Sequence, residues 1–155
     1  KEITTVKNYL LLDEKELLTT LIILLYDTKN DEGIIICVGD GSVCINGKTT
    51  EFERDNKPDY LTYHLKEDFE EWYDNQTQKI RFTKLEDVSI ATDGISSFIP
   101  IKKTDHGEKI NPADYLLHDK SNFDSEEMLS LKLKKLEHHY GMKPTDDLAI
   151  IRIIK

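Results

Sequence analysis

Short apolar runs separated by polar turns dominate the chain and predict a series of β-strands. The runs at 19–26 and 34–38 are continuously apolar, which is typical of strands that are covered on both faces. Further strands are predicted at 42–46, 49–52, 79–83, 88–92 and 148–154. Polar stretches at 53–60, with Pro58, and at 100–111, with Pro100 and Gly107, predict loops.

Helical spacing of apolar residues predicts helices near both ends of the chain. One is expected over Val6–Leu18 and another over Pro112–His118, while Glu67–Tyr73 is expected to form either a short helix or an irregular excursion. Asp124 and Glu127 form a capping-box pattern before a last helix that should end at Gly141. An apolar stripe on that helix should pack on a sheet: Leu129, Leu133, Leu136 and Tyr140. The pattern favours an α+β fold with a mostly antiparallel sheet covered by helices.

Asp40-Gly41 is the strongest short turn signal and predicts a hairpin between the strands at 34–38 and 42–46. Cys37 and Cys44 would then lie opposite each other, and a cross-strand disulfide is conceivable. An acidic chain without a visible signal peptide favours two reduced, buried thiols instead. Asn46-Gly47 predicts a second tight turn.

Length and composition indicate one soluble globular domain over residues 1–155. The formal net charge of −9 provides no electrostatic footprint for nucleic acid or an anionic membrane. No apolar run approaches the roughly 20 residues that span a bilayer, so we expect a cytoplasmic location. The sequence begins without Met, so we expect that it starts inside a longer protein, after processing, or at a cloning cut.

Acidic residues stand at the ends of three predicted strands: Asp40, Asp93 and Asp146. A carboxylate at a strand end is rigidly held yet accessible, and Gly94 beside Asp93 would allow close backbone approach. Hard cations such as Mg²⁺ and Mn²⁺ take oxygen ligands and often keep several waters. The pattern therefore suggests one cation site, although each Asp also fits a purely structural turn or cap.

The order of these motifs resembles the C-terminal two-thirds of the metal-dependent protein phosphatase 2C family, especially its compact bacterial branch. The matching positions are Thr20, Gly39-Asp40-Gly41, Thr92-Asp93-Gly94 and Asp146-Asp147, in the family's order. The resemblance implies two packed, mostly antiparallel sheets flanked by helices. It also implies a binuclear Mn²⁺ or Mg²⁺ centre that removes phosphate from phosphoserine or phosphothreonine in a protein substrate.

By position, the resemblance makes Asp93 and Asp146 metal ligands, and Asp40 a ligand of a weaker third metal. Gly94 would permit close packing beneath the metals, and Asp147 would have an orienting role. No side chain would act as the nucleophile, because the attacking group would be a metal-bound water.

The chain lacks the family's Asp-Gly-x-Gly motif, whose Asp bridges both metals. The N-terminal third of the domain is therefore missing, in a separate chain, or divergent, and this stretch alone should not be an efficient enzyme. The alternative function is a non-catalytic regulatory or binding module on the same fold. A third possibility is an unrelated α+β protein with structural Asp-Gly turns.

Other residues of types that often take part in catalysis or binding are predicted to have ordinary structural roles. All five His residues lack partner spacing and are predicted to lie on the surface: His64, His106, His118, His138 and His139. Phe69, Trp72 and Tyr73 suggest either a helix with its aromatic side chains packed inward or, less favoured, a flap beside a substrate.

Overall fold

The computed structural model describes residues 2–52, 59–102 and 110–155. The helices are α1 (Glu2–Tyr9), α2 (Phe69–Asn75), α3 (Pro112–Leu117) and α4 (Met128–His138). Short 3₁₀ helices cover Glu14–Leu17, Leu61–His64 and Asp93–Ser96. The strands are β1 (Leu21–Asp27), β2 (Glu32–Val38), β3 (Gly41–Ile45), β4 (Lys48–Phe52), β5 (Lys79–Thr83), β6 (Asp87–Ala91), β7 (Phe98–Pro100), β8 (Met142–Pro144) and β9 (Ile150–Ile154).

This architecture confirms the predicted α+β class with antiparallel sheets and helices. The chain divides into two compact units, the first formed by residues 1–40 and 52–84 and the second by residues 41–51 and 85–155. Predicted features at Pro58, His106 and Gly107 lie outside the described residues. Among the described residues, no helix combines the length and apolar character needed to cross a bilayer.

The first unit contains a three-stranded antiparallel sheet in the order β1-β2-β5. The prediction that β1 is covered on both faces is wrong, because Ile23 and Leu25 are 38% and 59% exposed. Both residues share one face of the sheet, since side chains two apart along a strand point the same way.

The second unit contains a four-stranded sheet in the order β4-β3-β6-β9 and the pair β7-β8. The α3 and α4 helices contact each other, and α3 also contacts β6. The core of the unit joins side chains from both helices and the sheet: Cys44, Ala91, Ile95, Tyr115, Leu116, Leu117 and Leu136. Leu133 and Tyr140 from the predicted stripe of α4 pack against it.

The predicted hairpin at Asp40-Gly41 is wrong. The β2 strand pairs with β1 and β5, whereas β3 pairs with β6 and lies beside β4. Gly39 and Gly41 have φ values of 103° and 148°, so the backbone between β2 and β3 takes conformations that favour glycine. Cys37 and Cys44 therefore belong to different sheets, and both are buried thiols that form no disulfide.

The turn at Asn46-Gly47 is confirmed, with φ values of 48° and 82° between β3 and β4. Positive φ at both central residues is the requirement of a type I′ hairpin turn.

Several helix bounds differ from the predictions, most of all those of α1 and α4. The helix predicted over 6–18 is wrong in its bounds, because α1 spans Glu2–Tyr9 and a separate 3₁₀ helix covers Glu14–Leu17. The α1 helix ends early because Leu11 has a φ of 54° and Leu12 donates its N–H to the carbonyl of Lys7, which is a Schellman-type ending. The α4 helix begins at Met128, so Asp124 is not its N-cap. Instead, the Ser125 hydroxyl accepts a hydrogen bond from the Glu127 N–H just before the helix.

Candidate metal centre

The pairing of β6 with β9 brings the Asp93 and Asp146-Asp147 segments to the same end of the second unit's sheet. The strands are antiparallel, with Ala91 opposite Ile150. Asp93 follows the end of β6, and Asp146 precedes the start of β9. One further backbone hydrogen bond, from the Thr92 N–H to the Ala149 carbonyl at 3.1 Å, extends the ladder towards these acids.

Gly94 is in close contact with the segment that carries the second acid. A β-carbon at Gly94 would lie 2.4 Å from the carbonyl oxygen of Asp147 and 3.2 Å from that of Asp146. No larger side chain fits there unless backbone moves. The predicted close packing at Gly94 is therefore made by protein backbone, which sets the Asp93 and Asp146 segments side by side.

Thr92 ties the two segments together through its hydroxyl group. The hydroxyl donates to the Asp147 carbonyl at 3.0 Å and accepts from the Ala149 N–H at 3.0 Å. A β-branched residue with a hydroxyl at the end of β6 thus satisfies backbone groups that lie beyond the regular sheet.

Ser97 makes a second tie at the other end of the 3₁₀ helix. Its hydroxyl donates to the Gly94 carbonyl at 2.8 Å and accepts from the N–H groups of Thr145 and Asp146 at 3.1 and 3.2 Å. Thr145 returns a hydrogen bond from its hydroxyl to the Ser97 carbonyl at 2.9 Å. Thr92 and Ser97 together hold the loop before β9 against the loop after β6, a role for Ser97 that no sequence motif indicated.

Asp93, Asp146 and Asp147 all have exposed side chains. One oxygen of the Asp146 carboxylate accepts the Asp147 N–H at 2.8 Å, which restrains the orientation of that carboxylate. Asp146 and Asp147 also line a shallow depression of about 500 Å³ together with Lys143. Both acids are thus accessible to ions and ligands from solvent.

Asp40 belongs to the first compact unit, whereas Asp93 and Asp146 belong to the second. Its side chain is half-buried between two glycines with positive φ. Its role as a ligand of a third metal stays a prediction that rests on the resemblance.

The donor set partly fits a divalent cation. Within the described residues, no three His, Cys, Asp or Glu side chains form a metal-binding group. Carboxylates on two neighbouring segments still suit Mg²⁺ or Mn²⁺ by chemical type, because Mg²⁺ in particular is often held by one or two carboxylates and keeps several waters. Among the described residues, the Asp93 and Asp146 carboxylates do not form a complete metal cage, and a cation held by them would keep several waters.

A buried ionic network that the sequence did not predict involves Asp87, at the end of β6 that is farther from Asp93. Arg152 of β9 forms a bidentate pair with Asp87 of β6 at 3.0 and 2.5 Å, and both side chains are at most 4% exposed. Its remaining N–H groups donate to carbonyls at the end of α3: Leu116, His118 and Asp119. This pair links the two strands that position the acids.

Lys132 is fully buried on α4 and completes the same network. Its ammonium group donates to the Tyr115 carbonyl at 2.9 Å and to the Asp119 carboxylate at 2.9 Å. Burial lowers the pKa of Lys132, although the hydrogen bond to Asp119 opposes that effect. Burial would raise the pKa of Asp119, but hydrogen bonds from Ser121 and Lys132 outweigh it and lower the pKa to about 2.

The comparisons with known proteins give a likeness of chain path only. No protein-family model matches the chain, and no curated protein matches it in sequence. Two solved structures align with it, both of the phosphatase domain of the cell fate determinant SpoIIE from Bacillus subtilis, one of them presoaked with Mn. Sequence identity is 13% and 11%, and the TM-scores are 0.47 and 0.43.

The alignments cover 98% of this chain and 64% of each SpoIIE domain chain. The chain thus spans about two-thirds of the length of these domains. At this identity and these TM-scores, no residue role is transferred from them.

Proposed function

We propose that this chain is the C-terminal part of a phosphatase 2C-like domain that hydrolyses phosphoserine or phosphothreonine in proteins with Mn²⁺ or Mg²⁺. One observation carries the proposal: the β6–β9 pairing and the Gly94 contact place the Asp93 and Asp146 segments side by side. The motif order Thr92-Asp93-Gly94 and Asp146-Asp147 supports the choice of reaction.

In this proposal, Asp93 and Asp146 hold the cations, and Asp40 contributes to a third, weaker site. Bound divalent cations supply an activated water and neutralise phosphate charge. Asp147 acts through its backbone: its N–H restrains the Asp146 carboxylate, and its carbonyl anchors the segment to Thr92. Ser97 and Gly94 keep the two segments at a fixed spacing.

The test is hydrolysis of p-nitrophenyl phosphate by the full-length gene product with and without Mn²⁺. We expect Mn²⁺-dependent turnover that falls at least about 100-fold in Asp93→Asn and Asp146→Asn, since each removes a charged ligand. Asp124→Asn is the matched control, because Asp124 is an exposed carboxylate of the same unit outside the site. Residues 1–155 alone should turn over far more slowly than the full-length protein.

Equal activity in all three variants would refute the assignment of the two acids. A full-length protein that binds Mn²⁺ at neither acid and shows no turnover would instead favour the non-catalytic module on the same fold.

A further inference from the structure

The first unit carries an apolar groove that the proposed function does not use. It lies along the exposed face of β1 and β2, beside the Leu61–His64 helix and α2, and has a volume of about 560 Å³. Among its lining residues, Leu25 and Phe69 are 59% and 69% exposed, and Ile23 is 38% exposed. We call this surface, lined by Ile23, Leu25, Ile36, Phe69 and Trp72, the β1–α2 groove.

The register of the sheet explains why this face is continuously apolar. Ile23 lies opposite Ile36, and Leu25 lies opposite Ile34, so aliphatic side chains of two strands form one surface. Phe69 stacks on Tyr73 with ring centroids 6.0 Å apart and tilts against Trp72 at 5.9 Å, which gives the groove an aromatic wall. Large contiguous apolar patches on a protein surface commonly mark interaction sites.

An acidic pocket of about 420 Å³ adjoins the β1–α2 groove. Four carboxylates line it, namely Asp59, Glu67, Asp68 and Glu71, and its described lining contains no lysine or arginine. His64, Glu67 and Trp72 line both the pocket and the groove, so the two cavities share a wall. The apolar surface therefore leads directly into a region of negative charge.

His64 fixes the shape of that shared wall. Its Nε2 lies 2.6 Å from the Asp59 carboxylate and its Nδ1 lies 2.9 Å from that of Glu67. Trp72 lies beside it, with ring centroids 5.5 Å apart. The predicted surface role of His64 is thus wrong, because the ring is held between two carboxylates and an indole.

We propose that the β1–α2 groove and the acidic pocket bind a segment of a partner protein that has apolar anchor residues followed by a lysine or arginine. The apolar anchors would cover the β1–β2 face, and the basic side chain would enter the pocket between the carboxylates and the Trp72 ring. Charge complementarity selects this occupant, because a cation gains from the acids and from the indole face together. An acidic chain with this pocket repels phosphate-rich surfaces such as nucleic acid or anionic lipid.

The test is selection of a phage-displayed library of random 16-residue peptides on the full-length protein, followed by binding of the enriched peptides in solution. Trp72 is the single tryptophan of residues 1–155, so in a protein of these residues its fluorescence reports occupancy directly. We expect enriched peptides to carry two or more large apolar residues next to Lys or Arg, and to shift the Trp72 emission on binding.

Two variants distinguish specific binding in the groove from non-specific binding to exposed apolar surface. Leu25→Arg places a charge on the exposed face of edge strand β1 and should abolish binding, whereas Ile151→Arg changes a similarly exposed aliphatic on edge strand β9 and should not. Glu71→Lys should weaken binding of the basic peptides about tenfold, since it replaces attraction by repulsion near the surface.

The proposal is overturned if no peptide family is enriched or if the enriched peptides lack a basic residue. It is also overturned if Ile151→Arg is as damaging as Leu25→Arg. Concentration-dependent self-association that Leu25→Arg abolishes would assign the groove to a second copy, and equal binding of anionic phospholipid vesicles would assign it to a lipid surface. The groove and the two variants that should weaken binding, Leu25→Arg and Glu71→Lys, lie in the first unit, whereas Asp93 and Asp146 lie in the second, so peptide binding and metal binding are tested separately.

Discussion

Gly94→Ala tests whether the loop before β9 rests on the loop after β6. The new β-carbon would lie 2.4 Å from the Asp147 carbonyl oxygen, whereas ordinary contact begins at 3.4 Å, so the backbone must move by about 1 Å (3.4 − 2.4). The same carbonyl accepts the Thr92 hydroxyl at 3.0 Å, and a shift of this size breaks that hydrogen bond.

The expected cost follows from opposing terms. Overpacking costs about 1–3 kcal/mol and loss of one hydrogen bond about 1 kcal/mol, while reduced entropy of the unfolded chain returns about 0.4–1 kcal/mol. We therefore expect a net loss of about 2 kcal/mol in the free energy of unfolding, or about 4–8 °C in Tm for a chain of this size.

The assay is urea unfolding followed by circular dichroism, together with thermal unfolding. Ser96→Ala is the control, because Ser96 is an exposed residue of the same 3₁₀ helix and its change should shift stability by less than about 0.5 kcal/mol. Unchanged stability in Gly94→Ala would refute the contact between Gly94 and the Asp146-Asp147 backbone.

Three further predictions concern charged groups. Arg152→Met leaves Asp87 buried without its partner and should lower the free energy of unfolding, measured in urea, by about 3–5 kcal/mol. Adding Asp87→Asn in the same chain should restore part of that loss. A loss below about 1 kcal/mol would contradict the buried pair. Burial alone would lower the pKa of His64, but Glu67 and Asp59 raise it. Its stabilising effect is therefore complete below its unfolded pKa near 6.5 and is lost as pH rises through the folded value. Wild type should lose stability relative to His64→Gln over that window, and parallel curves of stability against pH would contradict this. The pKa of Asp119 is lowered to about 2, so its contribution to stability is present above the ordinary pKa of 3.8 and disappears as pH falls towards 2. After solvent screening, we expect Asp119→Asn to lower the free energy of unfolding by about 1 kcal/mol at pH 6 and by little at pH 2. An equal loss at both pH values would contradict this.

Local patterns predicted elements well but not which strands pair. Residues 79–83 were predicted as a strand with the bounds that β5 has, because alternation and β-branching are local properties. Asp40-Gly41 signals a turn equally well in a hairpin and in a crossing between sheets. Only the tertiary partners of β2 and β3 decide between them, and these are distant in sequence.

The largest feature that the sequence pattern did not predict is the set of charged residues in the core. Lys132 lies four residues from both Met128 and Leu136, so it shares their buried face of α4. A lysine in that position suggests solvent exposure unless carbonyls and a carboxylate are brought to it by another element, here α3 and Asp119. The Asp93 and Asp146 segments could be associated from motif order, whereas the ties through Ser97 and Thr92 required the packed loops.

The central claim is that Asp93 and Asp146 together hold a divalent cation, and direct Mn²⁺ binding tests it most plainly. Free hydrated Mn²⁺ gives a six-line electron paramagnetic resonance signal that declines as the ion binds to protein. The full-length protein should reduce this signal in a titration, Asp124→Asn should match it, and Asp93→Asn and Asp146→Asn should each weaken the affinity at least about tenfold. Titration curves that coincide for all four proteins would contradict the account.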